Sequence, residues 1–287
     1  MTNSEFVIEE NISTKNDISL RLRRTVMSHA QATVVIVHGV GEHLNRYTYL
    51  EKWMITRRFN CYLYDHRGHG RSGGKRGDVI SFHDYADDLS LVYDKVASEI
   101  PHLPIFVLGH SMGSLVVLLN LIIRPGKWQA AIVTGVPLKL AKAIPKWREV
   151  LGRLANLFWP AFPITSNVIP EQLSHDMDVV EAYKNDPLIQ QRMTVRWGLA
   201  LIDAMDEIKS RLNEINENLL ILHGEDDPIS NVGGARELAQ ILGDKQATLI
   251  IYPGLYHELH NEREADRNQV FRDIDAWLQS QRARSAR

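Results

Sequence analysis

The sequence predicts an α/β protein: a mainly parallel central sheet flanked by helices, with one helical insertion before the late strands. Three observations predict it. Short apolar runs alternate with longer stretches of helical period, which is the signature of strands crossing over through helices. Those runs read as strands buried on both faces. One interval between two of them is far too long for an ordinary crossover.

Residues 18–26 read as an early edge strand, and 33–38, 61–65, 104–109, 130–135, 219–224 and 248–252 as buried strands. Several of these end at Gly, Asp or His. Tyr85, Leu89, Val92, Val96 and Ile100 recur every three or four residues, which puts one apolar stripe on a helix. Val270, Phe271, Ile274, Trp277 and Leu278 do the same for the last helix. Between the strands at 130–135 and 219–224 lie about eighty residues, where a crossover needs a helix and a few more. That stretch holds Pro137, Pro145, Pro160, Pro163, Pro170 and Pro187, more than half of the chain's 11 prolines, so short helices broken by turns are expected. The expected organisation is a core of residues 1–136 and 206–287 with a helical cap at 137–205.

The 287 residues suffice for a sizeable core, and 44% hydrophobic with 24% charged residues is an ordinary globular composition. A net charge of −2 offers no general attraction to phosphate backbones, so nucleic acid is not an expected partner. The single cysteine, Cys61, excludes an intrachain disulfide and reads as a buried, inert thiol. Residues 1–10 carry acidic and polar groups before any apolar block, and no run approaches the roughly 20 apolar residues of a membrane span, so a cytoplasmic location is expected. The arginine-bearing end, 281–287, reads as a frayed, solvated tail.

The chemistry concentrates after the strand at 104–109. Gly109-His110-Ser111-Met112-Gly113 is a G-x-S-x-G sequence with a strand before it and the apolar, helix-like run 114–123 behind it. On such a turn a serine sits in strained backbone geometry, the glycines remove side chains that would collide, and the helix N-terminus favours developing negative charge. A serine hydroxyl attacks only with a base beside it and a carboxylate to orient that base. The strand at 219–224 runs into Glu225-Asp226-Asp227, of which Asp227 is the favoured carboxylate and the other two are alternatives. The last strand runs into Pro253-Gly254-Leu255-Tyr256-His257, which makes His257 the base. The order Ser111, Asp227, His257 is the one the α/β-hydrolase fold uses. The glycine-flanked loop after His38 can turn the Val40 N–H towards the reaction centre, and Met112 supplies the second donor of an oxyanion hole. His38 with His43, His66 with His69, and His257 with His260 invite a metal reading. With no H-E-x-x-H and one cysteine, local hydrogen bonding is expected instead, and neither metal nor cofactor. His223 reads as structural.

His38-Gly39-Val40-Gly41-Glu42-His43, Arg46-Tyr47, Asp65 to Ser72, Gly109 to Gly113 and Tyr256-His257-Glu258-Leu259-His260 together resemble the monoacylglycerol lipases and lysophospholipase-like serine hydrolases. The likeness extends over residues 18–278 and takes in Leu173 to Asp176 and Tyr183 to Leu188 of the insertion. It implies the same Ser111, Asp227 and His257, the same Val40 and Met112 donors, and Arg46, His110 and Tyr183 near the polar end of the pocket. It departs from the family at Ser114, where a second glycine is common. The expected substrate is a lipid-like carboxylic ester, monoacylglycerol first, with lysophospholipids or general esters as alternatives. A non-catalytic ligand-binding protein on the same scaffold is the reading from another class. Within the cap, Trp147, Leu151, Leu154 and Phe158 belong to an apolar stripe, and Lys139, Lys142, Lys146, Arg148 and Arg153 lie about it against one acid, Glu149. Two arrangements fit that stripe: packing onto the domain below, or resting peripherally on an anionic membrane surface.

Overall fold

In the computed structural model, which describes residues 5–166 and 168–285, the chain opens with a β-hairpin. Strand β1 (Glu5–Ser13) pairs antiparallel with β2 (Ser19–Met27) along its whole length. Strands β3 (Ala32–Val37) and β4 (Phe59–Tyr64) follow, joined by helix α1 (Thr48–Thr56), and then helix α2 (His83–Glu99) leads to β5 (Ile105–His110). Helix α3 (Met112–Ile123) connects β5 to β6 (Ala130–Thr134). After the insertion come β9 (Leu219–Gly224), α7 (Val232–Leu242), β10 (Ala247–Tyr252) and α8 (Glu264–Ser285). The sheet order is β1-β2-β4-β3-β5-β6-β9-β10, parallel from β4 to β10 and antiparallel at β1 and β2.

Alternation along the strands divides the core into two layers. Val35 and Val37 of β3 face one side with Tyr62, Tyr64 and the helices α2 and α3; Val34 and Ile36 face the other with Leu63, α1 and α8. All of these are almost wholly buried, at roughly 1.5–3 kcal/mol for each large apolar side chain removed from water. The helical stripes land as expected: Tyr85, Leu89, Val92 and Val96 of α2 are buried, as are Val270, Phe271, Ile274, Trp277 and Leu278 of α8.

Four expectations need correction. The strand at 18–26 is not an edge, because β1 covers it. That strand escapes a reading by apolar run because its charges are paired across the hairpin, Arg21 to Glu9 at 2.8 Å and Arg24 to Glu10 at 3.2 Å. The C-terminal stretch is not frayed from 281 onwards: α8 runs to Ser285, Gln281 is buried, and its Oε1 accepts from Asn218 Nδ2 at 2.9 Å, while residues 286–287 lie outside the described residues. The insertion carries helices α4 (Lys146–Phe158), α5 (Met177–Asn185) and α6 (Val195–Arg211), but also a small antiparallel pair, β7 (Pro163–Thr165) with β8 (Arg192–Thr194). The boundary expected at 205/206 falls inside α6.

The insertion is held unevenly. Around α5 it is pinned to the core by Gln190 N–H to the Gly41 carbonyl at 2.7 Å, His43 to Asp186 at 2.9 Å, His175 to Glu262 at 3.0 Å and Glu258 N–H to the Leu173 carbonyl at 2.8 Å. Helix α4 rests on α6 and has no buried residue at all.

Candidate active site

Ser111 stands between the end of β5 and the first turn of α3, at φ 51° and ψ −121°. A non-glycine residue there is strained, and the surroundings hold it in place. A Cβ on Gly109 would come 2.5 Å from the Gly113 carbonyl oxygen, and one on Gly113 would collide with the carbonyls of Val37 and His38. Ser114, the departure from the family pattern, is fully buried and donates its hydroxyl to the Ser111 carbonyl at 2.5 Å, so it braces the turn.

The loops after β9 and β10 bring the other two groups to the serine. His257 Nε2 lies 2.9 Å from Ser111 Oγ, and His257 Nδ1 lies 2.7 Å from Asp227 Oδ2. Asp227 Oδ1 accepts from the N–H groups of Ile229 at 2.8 Å and Ser230 at 2.9 Å, which fixes the carboxylate. Glu225 and Asp226, the alternatives on that loop, are exposed. Gly135 leaves room for the imidazole: its φ is +56°, and a Cβ there would sit 3.0 Å from His257 Cε1. Burial opposes charge on His257, but the Asp227 carboxylate and their hydrogen bond outweigh it and raise its pKa. Burial likewise opposes charge on Asp227, yet His257, His223 and the backbone donors hold it well below the usual carboxylate range. His223 itself is buried, with Nε2 3.0 Å from the Ser230 carbonyl.

Val40 and Ser111 line one small cavity, of about 30 Å³, together with Glu42, His110, Tyr183 and Glu258. That is room for about one water molecule. Met112 begins α3, where a backbone N–H has no partner within its own helix. The two peptides that flank Gly39 are each held: His38 Nδ1 lies 2.7 Å from the Gly39 carbonyl of the Gly39–Val40 peptide, and the Gly39 N–H of the His38–Gly39 peptide donates to Glu42 Oε1 at 2.6 Å. Because the peptide is trans, a Gly39 carbonyl held by His38 aims the Val40 N–H the opposite way. A second cavity, of about 490 Å³, lies away from Ser111 between Leu138, Leu140 and Ile144 on one side and Ile202 and Met205 of α6 on the other.

Of the three residues expected at the polar end, His110 and Tyr183 line the small cavity. His110 Nδ1 pairs with Thr134 Oγ1 at 2.9 Å, and burial, with His257 and His260 nearby, keeps its ring neutral. Arg46 stands beside the cavity: its guanidinium pairs with Glu258 and Glu42, which line it, and lies 4.7 Å over the Tyr183 ring. Sequence reasoning missed both carboxylates. The spacing of four between Glu42 and Arg46 was a usable signal, whereas the pairing of Arg46 with Glu258, 212 positions away, was not. In the cap, Trp147, Leu151, Leu154 and Phe158 are 62%, 58%, 54% and 72% exposed, so they do not form the cap's own core. The basic residues about them are partly engaged, Lys139 with Glu237 and Arg153 with Glu149 and Asp203. Among the described residues no three His, Cys, Asp or Glu side chains gather as a metal ion would require.

The family described as serine aminopeptidase, S33, matches residues 28–264. Human monoglyceride lipase is 34% identical over 262 residues, covering 89% of this chain and 84% of that protein. The chain belongs to this family of serine hydrolases. A monoacylglycerol lipase of Mycolicibacterium smegmatis is 32% identical over 255 residues, covering 87% and 89%. The crystal structure of Paleococcus ferrophilus monoacylglycerol lipase superposes with a TM-score of 0.81 at 26% identity, covering 96% of this chain and 99% of that one. The fold is therefore the α/β-hydrolase fold, and the family member described here is an ester hydrolase of the lipase type.

Proposed function

We propose that the protein hydrolyses monoacylglycerol to fatty acid and glycerol, with Ser111 as nucleophile, His257 as general base and Asp227 as its orienting carboxylate. The observation that carries this is the continuous chain of two hydrogen bonds, 2.9 Å and 2.7 Å, from Ser111 through His257 to Asp227. His257 Nε2 takes the Ser111 proton as Oγ attacks the ester carbonyl. The negative charge that forms on the carbonyl oxygen faces the N–H groups of Val40 and Met112. His257 returns the proton to the departing alcohol oxygen, which leaves an acyl-serine. Water then attacks that acyl group while giving its proton to His257, and Ser111 recovers it as the fatty acid departs.

The cavity of about 30 Å³ beside Ser111 is smaller than an acyl chain, so a movement of the cap is expected when the substrate enters. Helix α4, without a buried side chain, is the part positioned to meet a lipid surface during that movement. Family membership favours monoacylglycerol over a general ester, and a formed Ser-His-Asp set argues against a purely ligand-binding role. The deciding test is covalent labelling. A fluorophosphonate is expected to label the protein once, and Ser111→Ala is expected to abolish both labelling and monoacylglycerol turnover; labelling that persists in the variant would refute the assignment.

A further inference from the structure

The peptide that carries the Met112 N–H is held twice at its carbonyl end. Ser114 gives the Ser111 carbonyl oxygen its N–H at 2.9 Å and its hydroxyl at 2.5 Å, so one residue supplies a donor to each lone pair of that oxygen. The Ser111 N–H donates to the Thr134 carbonyl at 2.9 Å, which ties the turn to β6 as well. Ser114 is fully buried, and the Ser111 carbonyl is the one partner of its hydroxyl among the described residues. Across the trans peptide the Met112 N–H points the opposite way, and among the described residues neither it nor the Val40 N–H donates to any protein group. The Gly39 carbonyl has a side-chain donor too: the His66 N–H donates to His38 Nε2 at 2.9 Å, which leaves the ring proton on Nδ1, and Nδ1 donates to Gly39 at 2.7 Å. Gly39 lies against the nucleophile, since a Cβ on it would come 3.2 Å from Ser111 Cβ.

A peptide plane is rigid, so its remaining freedom is to swing about the flanking Cα bonds. With the Ser114 N–H alone, the Ser111 carbonyl could still pivot about a single bond; the hydroxyl removes that freedom. A carbonyl that accepts a second hydrogen bond also polarises its peptide and strengthens the N–H at the far end, by about 10–30% per bond. We propose that Ser114 is a positioning residue for the oxyanion: its hydroxyl, donated to the Ser111 carbonyl, fixes and strengthens the Met112 N–H as a donor to the negative oxygen of the tetrahedral intermediate. The gain falls on the transition state, because the ester oxygen is nearly neutral before attack and carries the charge after it. This role rests on the hydrolase reading above and adds to it a side chain that touches neither His257 nor Asp227. Glycine, common in the family at this position, would keep the N–H bond and lose the hydroxyl, so the second hold is particular to chains with serine here.

The test is Ser114→Ala, read with a short soluble ester and with a trifluoromethyl ketone of the same acyl chain. Ser111 Oγ adds to the ketone carbon, its proton passes to His257, and the carbonyl electron pair moves onto oxygen. The adduct thus carries the oxyanion without a leaving group. Loss of an oxyanion-hole donor costs about a hundredfold to a thousandfold in kcat, and a loosened donor costs less. In Ser114→Ala, kcat is expected to fall by about tenfold with KM within about twofold, and the inhibition constant of the ketone is expected to rise by about the same tenfold. A merely structural hydroxyl would lower the melting temperature and the active fraction, which reduces kcat and leaves the inhibition constant where it was. That outcome would overturn the positioning role, and so would a kcat and an inhibition constant both within about twofold of the unmodified protein. If Ser114→Ala does not fold, Ser114→Gly, with the residue common in the family, is read in its place by the same criteria. An unmodified protein that neither hydrolyses the ester nor is inhibited by the ketone would overturn the hydrolase reading, and the role of Ser114 with it.

Discussion

At the scale of single residues, the site depends on which acid of three faces the imidazole. Asp227 is fixed by two backbone donors, and Glu225 and Asp226 are exposed on the same loop. Asp227→Asn removes the charge that holds the correct tautomer of His257 and stabilises its protonated form. It is expected to lower kcat by about four orders of magnitude, whereas Asp226→Asn should change it less than about threefold. Steady-state kinetics on a soluble ester separates the two, and the reverse ranking would move the carboxylate by one residue. That Ser111, Asp227 and His257 come within hydrogen-bonding reach of one another was legible in the sequence because each stands just beyond an apolar strand, at a glycine-marked turn. The partners of Arg46 were not: Glu42 and Glu258 belong to loops that only the folded sheet brings together, and nothing local distinguishes a buried acid from a solvated one.

At the scale of elements, the helices and buried strands were readable from their apolar period, and β1 was not. Phe6, Val7 and Ile8 are exposed on it, and its place in the sheet is secured by hairpin pairing with β2 rather than by a buried face. The cap shows the same limit from the other side. Its stripe at 147–158 has the period of a packed helix, yet it lies open to solvent, because period reveals which residues share a face and not what that face meets. Trp147→Ser combined with Leu151→Ser is therefore expected to reduce hydrolysis of dispersed long-chain monoacylglycerol by about tenfold or more while leaving a short soluble ester nearly unchanged. The melting temperature should stay within a few degrees, since neither side chain is buried. Equal losses on both substrates with a lowered melting temperature would show that these side chains support the fold.

At the scale of the whole molecule, many histidines are buried in their neutral form. Burial depresses His38 and His69 to about 3, as it does His260, and it holds His66 and His110 well below the ordinary value. Each takes up a proton more readily when unfolded, so each contributes stability that is present above the unfolded pKa of about 6.5 and is lost as the pH falls towards the folded value. His43 is lowered by burial in the same way, while His257, raised by Asp227, and Glu42, raised to about 7 by burial, act in the opposite sense: two groups against six. The unfolding free energy measured with urea is expected to fall from pH 7 to pH 5, by more than the ~1.4 kcal/mol per pH unit of one group, and the urea midpoint with it. A midpoint that stays level across that range would contradict this account.

A helix with no buried side chain also bears on how the protein can change over generations. Most positions in the sheet and in α2, α3 and α8 are constrained by close packing, where one methylene more or less is felt. Positions along the outer face of α4 carry no such constraint, so substitutions there accumulate at little cost to the fold. Selection on α4 acts through whatever the helix touches outside the molecule. Descendants of this chain can therefore vary along α4 while Ser111, His257 and Asp227 stay in place.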